Sequence, residues 1–162
     1  MTKLLVSGVP GTGKTTLANY LEVGYGFFHV DMEADEFTHR KEFSRDPTAF
    51  LGMLTAHKDV VLSWGFRPFK DRPAVEKLIE AGFSVIWLDG DRVASFRNFM
   101  ARENNNPMNE ATYYEQLYAI LITRIAETLA LRPINPYTST GDFRQTEEIA
   151  SEILDGTILL QR

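Results

Sequence analysis

The residues with the plainest chemistry in this chain of 162 lie near its start, as Gly8-Val9-Pro10-Gly11-Thr12-Gly13-Lys14-Thr15-Thr16. They fit the pattern G-x-x-x-x-G-K-[ST]. Glycines permit backbone dihedrals that other residues resist, so successive N–H groups can converge on oxygen atoms and wrap a diphosphate. Lys14 then has the reach to contact β- and γ-phosphates, and the Thr15 hydroxyl can ligate Mg²⁺. Residues Gly8, Val9, Pro10, Gly11, Thr12, Gly13, Lys14, Thr15 and Thr16 are therefore the candidate nucleotide-binding set. The chemistry needs a strand before the loop and a helix after it, so that the phosphates meet a helix N-terminus.

The chain supplies both. Apolar runs at 4–7, 27–30, 60–64 and 85–88, rich in β-branched or aromatic residues, read as strands buried on both faces. Helical spacing lies between most of them. At 14–21, Leu17, Ala18 and Leu21 share a face; 71–81 has Pro73 in its first turn and Gly82 beyond its end. A longer helix is expected from near Asn109, because Tyr114, Leu117, Leu121, Ile125 and Leu129 recur at three- and four-residue steps. A last helix at 147–154 has Thr146 as its expected N-cap. A fifth strand is expected at 133–137, despite two prolines. Strands alternating with helices imply right-handed βαβ units and a mainly parallel sheet.

Composition narrows the partners. The chain is 44% hydrophobic and 24% charged, within the usual range of one globular domain. A net charge of −5 provides no overall attraction to nucleic acid or an anionic membrane, so a small-molecule partner is favoured. There is no cysteine, hence no disulfide or thiolate metal site, and His29, His39 and His57 lack close metal-ligand spacing. Neither a leader nor a long apolar run is read at the start, and a cytoplasmic protein is expected.

On the phosphate loop and the strands around it, the chain resembles the P-loop small-molecule kinases, a group that includes shikimate, gluconate and nucleoside monophosphate kinases. The resemblance implies a three-layer α/β fold with a five-stranded mainly parallel sheet, helices on both faces and a small lid. It implies one domain over 1–162, with acceptor-binding helices at about 34–58 and the lid at about 97–112. It further implies ATP and Mg²⁺ as cofactors and transfer of the γ-phosphate to a hydroxyl of a small acceptor. A nucleoside or nucleotide acceptor stays open, as does a nucleotide-binding module without transferase chemistry. A GTPase is opposed by the lack of Asn-Lys-x-Asp and Asp-x-x-Gly motifs.

By the same resemblance, Phe28-His29-Val30-Asp31-Met32-Glu33 carries the acidic motif after the second strand. Asp31 would face the γ-phosphate and help place Mg²⁺, and Asp31 or Glu33 would orient or deprotonate the acceptor. Ser63-Trp64-Gly65-Phe66-Arg67-Pro68 looks like the Asp-Gly-Phe-Pro-Arg loop of nucleoside monophosphate kinases, with the order altered and Trp64 where the aspartate belongs. Arg67 could bind an anionic acceptor, and Arg40 or Arg45 could grip one from 36–57. Arg97 and Arg102 are the candidate lid cations; five apart, they do not share a helical face. The 104–107 break reads as a hinge, and 137–142 as the stretch that would meet adenine. Asp89-Gly90-Asp91 has the form of either a metal-binding strand end or a turn with a helix cap. Aromatics such as Phe27, Phe28, Trp64, Phe66 and Trp87 are expected in the core.

Overall fold

A computed structural model describes residues 1–102 and 105–160. Five strands, β1 (Thr2–Gly8), β2 (Phe28–Asp31), β3 (Asp59–Ser63), β4 (Ser84–Leu88) and β5 (Pro133–Ile134), form one sheet in the order β2-β3-β1-β4-β5. Every pairing in it is parallel. The strand carrying the phosphate loop therefore lies in the middle, bonded on both sides. Its neighbours in sequence alternate between two cores. Leu5, Val30, Val60, Leu62 and Trp87 pack on one face of the sheet, while Leu4, Val6, Val61, Ile86 and Leu88 pack on the other. This is why the strands read as unbroken apolar runs rather than alternating ones.

Eight helices are described: α1 (Lys14–Tyr25), α2 (Ala34–Arg45), α3 (Pro47–Leu54), α4 (Pro68–Glu80), α5 (Arg92–Arg102), α6 (Pro107–Thr123), α7 (Ile125–Thr128) and α8 (Thr146–Leu160). The second face is covered by α1 and α8 through Leu17, Leu21, Ile149 and Ile153. The first is covered by Phe43, Phe50, Val75, Leu78, Phe99 and Ile120, contributed by α2 to α6. The aromatic residues lie in the core as expected, with Trp64, Phe66 and Trp87 buried and Phe28 stacked on His57. Among the described residues no helix is long and apolar enough to cross a membrane.

Three local expectations need correction. The fourth helix begins at Pro68, not Asp71, because a proline at the first helical position is pre-set for helix and the Asp71 carboxylate accepts the Arg67 N–H (2.7 Å). Pro73 thus falls inside the helix rather than in its first turn. The helix expected from Asn109 to Leu129 starts at Pro107, with the Asn106 side chain capping Met108 N–H, and breaks at Arg124, whose φ is 49°. Its buried face is also different: Tyr113 and Ile120 are buried while Tyr114 and Leu121 are exposed. The fifth strand shrinks to two residues, since proline cannot donate to a ladder. Residues 103 and 104, part of the expected hinge and lid, lie outside the described residues.

Candidate active site

The phosphate loop is built by close backbone approach. Gly8 has φ 138°, and a Cβ there would lie 2.1 Å from the Leu88 carbonyl oxygen. At Gly11 (φ 80°) it would lie 2.1 Å from the Ser95 carbonyl oxygen. Only glycine permits β4 and α5 to press this closely on the loop. Inside the loop, the Val9 carbonyl accepts from Thr12 Oγ1 (2.7 Å) and Lys14 Nζ (3.1 Å). Gly13 in the left-handed region then starts α1 at Lys14. Val9 and Thr12 have buried side chains, so they serve the loop by backbone and by folding it.

Over the loop opens a cavity of about 410 Å³ lined by Pro10, Gly11, Gly13, Lys14, Thr15, Thr16, Glu33, Gly65, Asn98, Phe99, Arg102, Gln116 and Phe143. Burial pulls the Lys14 ammonium down to about 8; the Arg102 charge pulls the same way and Glu33 opposes both. Glu33 supplies the carboxylate among the described lining residues, and its Oε2 accepts the Gly65 N–H (2.9 Å). Asp31 stands one step back, its Oδ1 accepting the Glu33 N–H (2.9 Å) in a turn that presents Glu33 to the cavity. Behind it, the half-buried His29 ring meets Ser63 Oγ at 2.9 Å and is held below the usual imidazole value chiefly by burial.

The candidate arginines divide. Arg102 ends α5 and lines the cavity. Arg97, on the other side of the same helix, donates to the Gly141 carbonyl (2.7 Å), so it ties α5 to the 137–143 segment. The stretch 97–112 is thus shared between the end of α5 and the start of α6. Arg40 Nη2 donates to Asp71 Oδ1 (2.7 Å), while Arg67 Nε lies 3.6 Å from Asp71 Oδ2. Arg67 also lines a small neighbouring pocket that shares Pro10, Gly65 and Gln116 with the main cavity. Arg45 lines a separate groove with Glu42 and Asp46.

Asp91 Oδ1 accepts from Val93 and Ala94 N–H (3.0 Å each) and so caps α5, and Asp89 pairs with Arg92 at 3.4 Å. A second cavity of about 200 Å³, lined by Thr12, Leu17, Pro136, Phe143, Arg144 and Ile149 among others, adjoins the phosphate loop. Phe143 stands at the wall shared by the two cavities. Next to it the buried Tyr137 donates to the Gly11 carbonyl (2.6 Å), and burial pushes its hydroxyl up to about 12.

Asp71, Asn98, Gln116 and Phe143 were not legible as site residues. Asn98 lines the main cavity, with its side-chain amide beside the Tyr137 hydroxyl. For a divalent cation the described residues offer no cluster of three or more His, Cys, Asp or Glu. The donor set of Thr15 and one or two carboxylates fits Mg²⁺, which keeps several waters and is held largely by phosphate oxygens.

The same arrangement of strands and helices occurs in a gluconokinase from Sinorhizobium meliloti 1021, at 17% identity and TM-score 0.59 over 98% of this chain and 93% of that one. A shikimate kinase from Acinetobacter baumannii in complex with shikimate matches at 20% identity and TM-score 0.65, over 100% and 96%. One from Bacteroides thetaiotaomicron matches at 16% and 0.55, over 97% and 98%. This chain has the fold of the P-loop small-molecule kinases. No protein-family model matches it, and no curated protein matches its sequence.

Proposed function

We propose that this chain is an ATP-dependent phosphotransferase that moves the γ-phosphate of ATP onto a hydroxyl of a small metabolite, acting in the cytoplasm. The observation that carries the reading is one cavity in which a phosphate loop, the Lys14 and Arg102 cations and the Glu33 carboxylate face the same space. Phosphoryl transfer asks a protein mainly for positioning and charge stabilisation, and these groups supply both. Lys14 and the loop N–H groups hold the β- and γ-phosphates. Arg102 neutralises charge on the group in flight.

Glu33 takes the acceptor hydroxyl proton, and Asp31 fixes the turn that aims it. Thr15, with Asp31 through water, would hold Mg²⁺, which would supply positive charge to offset that of the phosphates. Arg97 orients the 137–143 segment around the nucleobase rather than meeting the phosphates. A nucleoside acceptor is the second reading, favoured by the Gly65-Phe66-Arg67 stretch at the cavity edge.

The test is ADP release from Mg-ATP across polyols, sugar acids, nucleosides and nucleoside monophosphates, with Lys14→Ala in parallel. Turnover that depends on one acceptor and vanishes in the variant supports the reading. ATP binding without any acceptor-dependent turnover overturns it in favour of a binding module.

A further inference from the structure

The cavity of about 200 Å³ beside the phosphate loop has walls that are largely apolar, formed by Leu17, Leu88, Pro136, Phe143 and Ile149. It meets the main cavity along Gly13, Thr16 and Phe143, which line both. A nucleotide whose phosphates lie on the loop crosses this boundary with its sugar and places its base in the smaller cavity. Phe143 stands at the crossing. Its ring is 47% exposed and lies over Gly13, where a Cβ would come within 3.3 Å of Phe143 Cε1.

The ring has a firm mount. Its backbone pairs with that of Tyr137 in an antiparallel bridge, and the two ring centroids are 5.0 Å apart. Between them the Thr138 N–H donates to the Asp142 carbonyl (2.8 Å). The hairpin so closed is tied to the phosphate loop by the Tyr137 hydroxyl and to α5 by Arg97. A half-exposed aromatic held in this way is a preformed stacking surface, with little freedom left to lose when a flat ligand settles on it.

The polar groups around the smaller cavity have no bias between purines. Adenine and guanine differ along one edge, where a donor in one replaces an acceptor in the other. Telling them apart takes a protein group that only donates or only accepts. Among the described lining residues, the Thr16 and Thr146 hydroxyls can do either. Arg144 only donates, and its guanidinium nitrogens are directed at the Asn135 carbonyl (2.9 Å), Glu152 Oε2 (3.1 Å) and Glu148 Oε2 (3.9 Å). Pro136 has no N–H, and its carbonyl accepts the Arg144 N–H (2.9 Å).

We infer that Phe143 selects the phosphate donor by stacking on its base, so that the chain takes purine nucleoside triphosphates as a class, GTP as readily as ATP, and pyrimidine ones less well. This rests on the phosphotransferase reading and widens its donor. Phe143 is a specificity-determining residue: it meets the base and none of the reacting atoms.

The experiment needs no acceptor. Calorimetric titration of the full chain with Mg-ATP, Mg-GTP, Mg-CTP and Mg-tripolyphosphate gives four Kd values. Those for ATP and GTP are expected to agree within about fivefold, with CTP about tenfold weaker because a smaller ring stacks less well. Phe143→Leu keeps an apolar side chain without a ring, and is expected to weaken both purine triphosphates by about tenfold while leaving tripolyphosphate unchanged. Phe143→Tyr keeps the ring and is expected to bind as the wild type does. A difference of more than about fivefold between ATP and GTP, in either direction, overturns the inference while leaving the kinase reading intact. So does a Phe143→Leu chain that binds the purine triphosphates unchanged or more tightly, which would mark the ring as an obstruction, or one that loses tripolyphosphate equally. Equal loss in the leucine and tyrosine variants overturns it likewise. Failure of the wild type to bind any of the four overturns the phosphotransferase reading, and this inference with it.

Discussion

Glu33 and Lys14 share the cavity with opposite charges, and each can be probed by a substitution that keeps its shape or by a change of pH. Glu33→Gln retains an oxygen for the Gly65 N–H but cannot take a proton. It is expected to lower kcat by about 10² to 10⁴ with little change in thermal unfolding, which steady-state kinetics and calorimetry would separate. Burial holds the Lys14 ammonium down at about 8 in the folded chain, against the usual 10.5 of a solvated lysine. A buried lysine depressed in this way is charged in both states below pH 8, so its burial penalty is fully present there. Between pH 8 and 10.5 the unfolded chain binds the extra proton, and stability from this group rises with pH. Triphosphate favours the charged form, so ATP binding at pH 8 is expected to take up part of a proton, and at pH 6.5 almost none. Calorimetric titration in two buffers of different ionisation enthalpy would show it; equal uptake at both pH values would falsify the assignment of Lys14 to the phosphates.

Elements differ in how far the sequence announced them. The strand, loop and first helix were legible because glycines at 8, 11 and 13 admit few other structures, and because a doubly covered parallel strand needs an unbroken apolar run. The α6 face was not. Apolar residues sit side by side at Tyr113 and Tyr114 and again at Ile120 and Leu121, so the spacing fits two faces one residue apart, and packing on Phe99 with a hydrogen bond to Ser95 chose Tyr113. Asp71 escaped notice for another reason: one of its two arginine partners, Arg40, is 31 residues away, a distance no local pattern spans. Replacing Asp71 with alanine would leave two arginines against an apolar core edge. It is expected to cost about 2–3 kcal/mol in urea unfolding, less than a fully buried pair because the arginines remain partly solvated. In Tyr137→Phe the Gly11 carbonyl loses its donor, with an expected cost of about 1 kcal/mol and a higher KM for ATP at nearly constant kcat.

Across the whole molecule the candidate site is formed where three separate stretches meet at the carboxyl edge of one sheet. The loop follows β1, Glu33 follows β2 and Gly65 follows β3, the edge at which open α/β sheets bind ligands. Ligand therefore bridges the central strand to its neighbours. ATP at a hundredfold excess over its Kd is expected to add about 2.7 kcal/mol of stability by mass action, raising Tm by several degrees in a thermal melt. Lys14→Ala should lose most of that shift.

The two ends of the cleft over the loop after β1 are sewn into the sheet with different strength. At the phosphate end, glycines are pinned so tightly by β4 and α5 that even a methyl group does not fit. At the other end, Pro136 and Phe143 hang from a strand of two residues at the sheet margin. Under the proposed function, mutational drift is therefore channelled: changes that alter which base is accepted would be cheap for the fold, whereas changes in phosphate handling would not. A lineage built on this scaffold could exchange one nucleoside triphosphate for another in a few steps, while its transfer chemistry stays frozen.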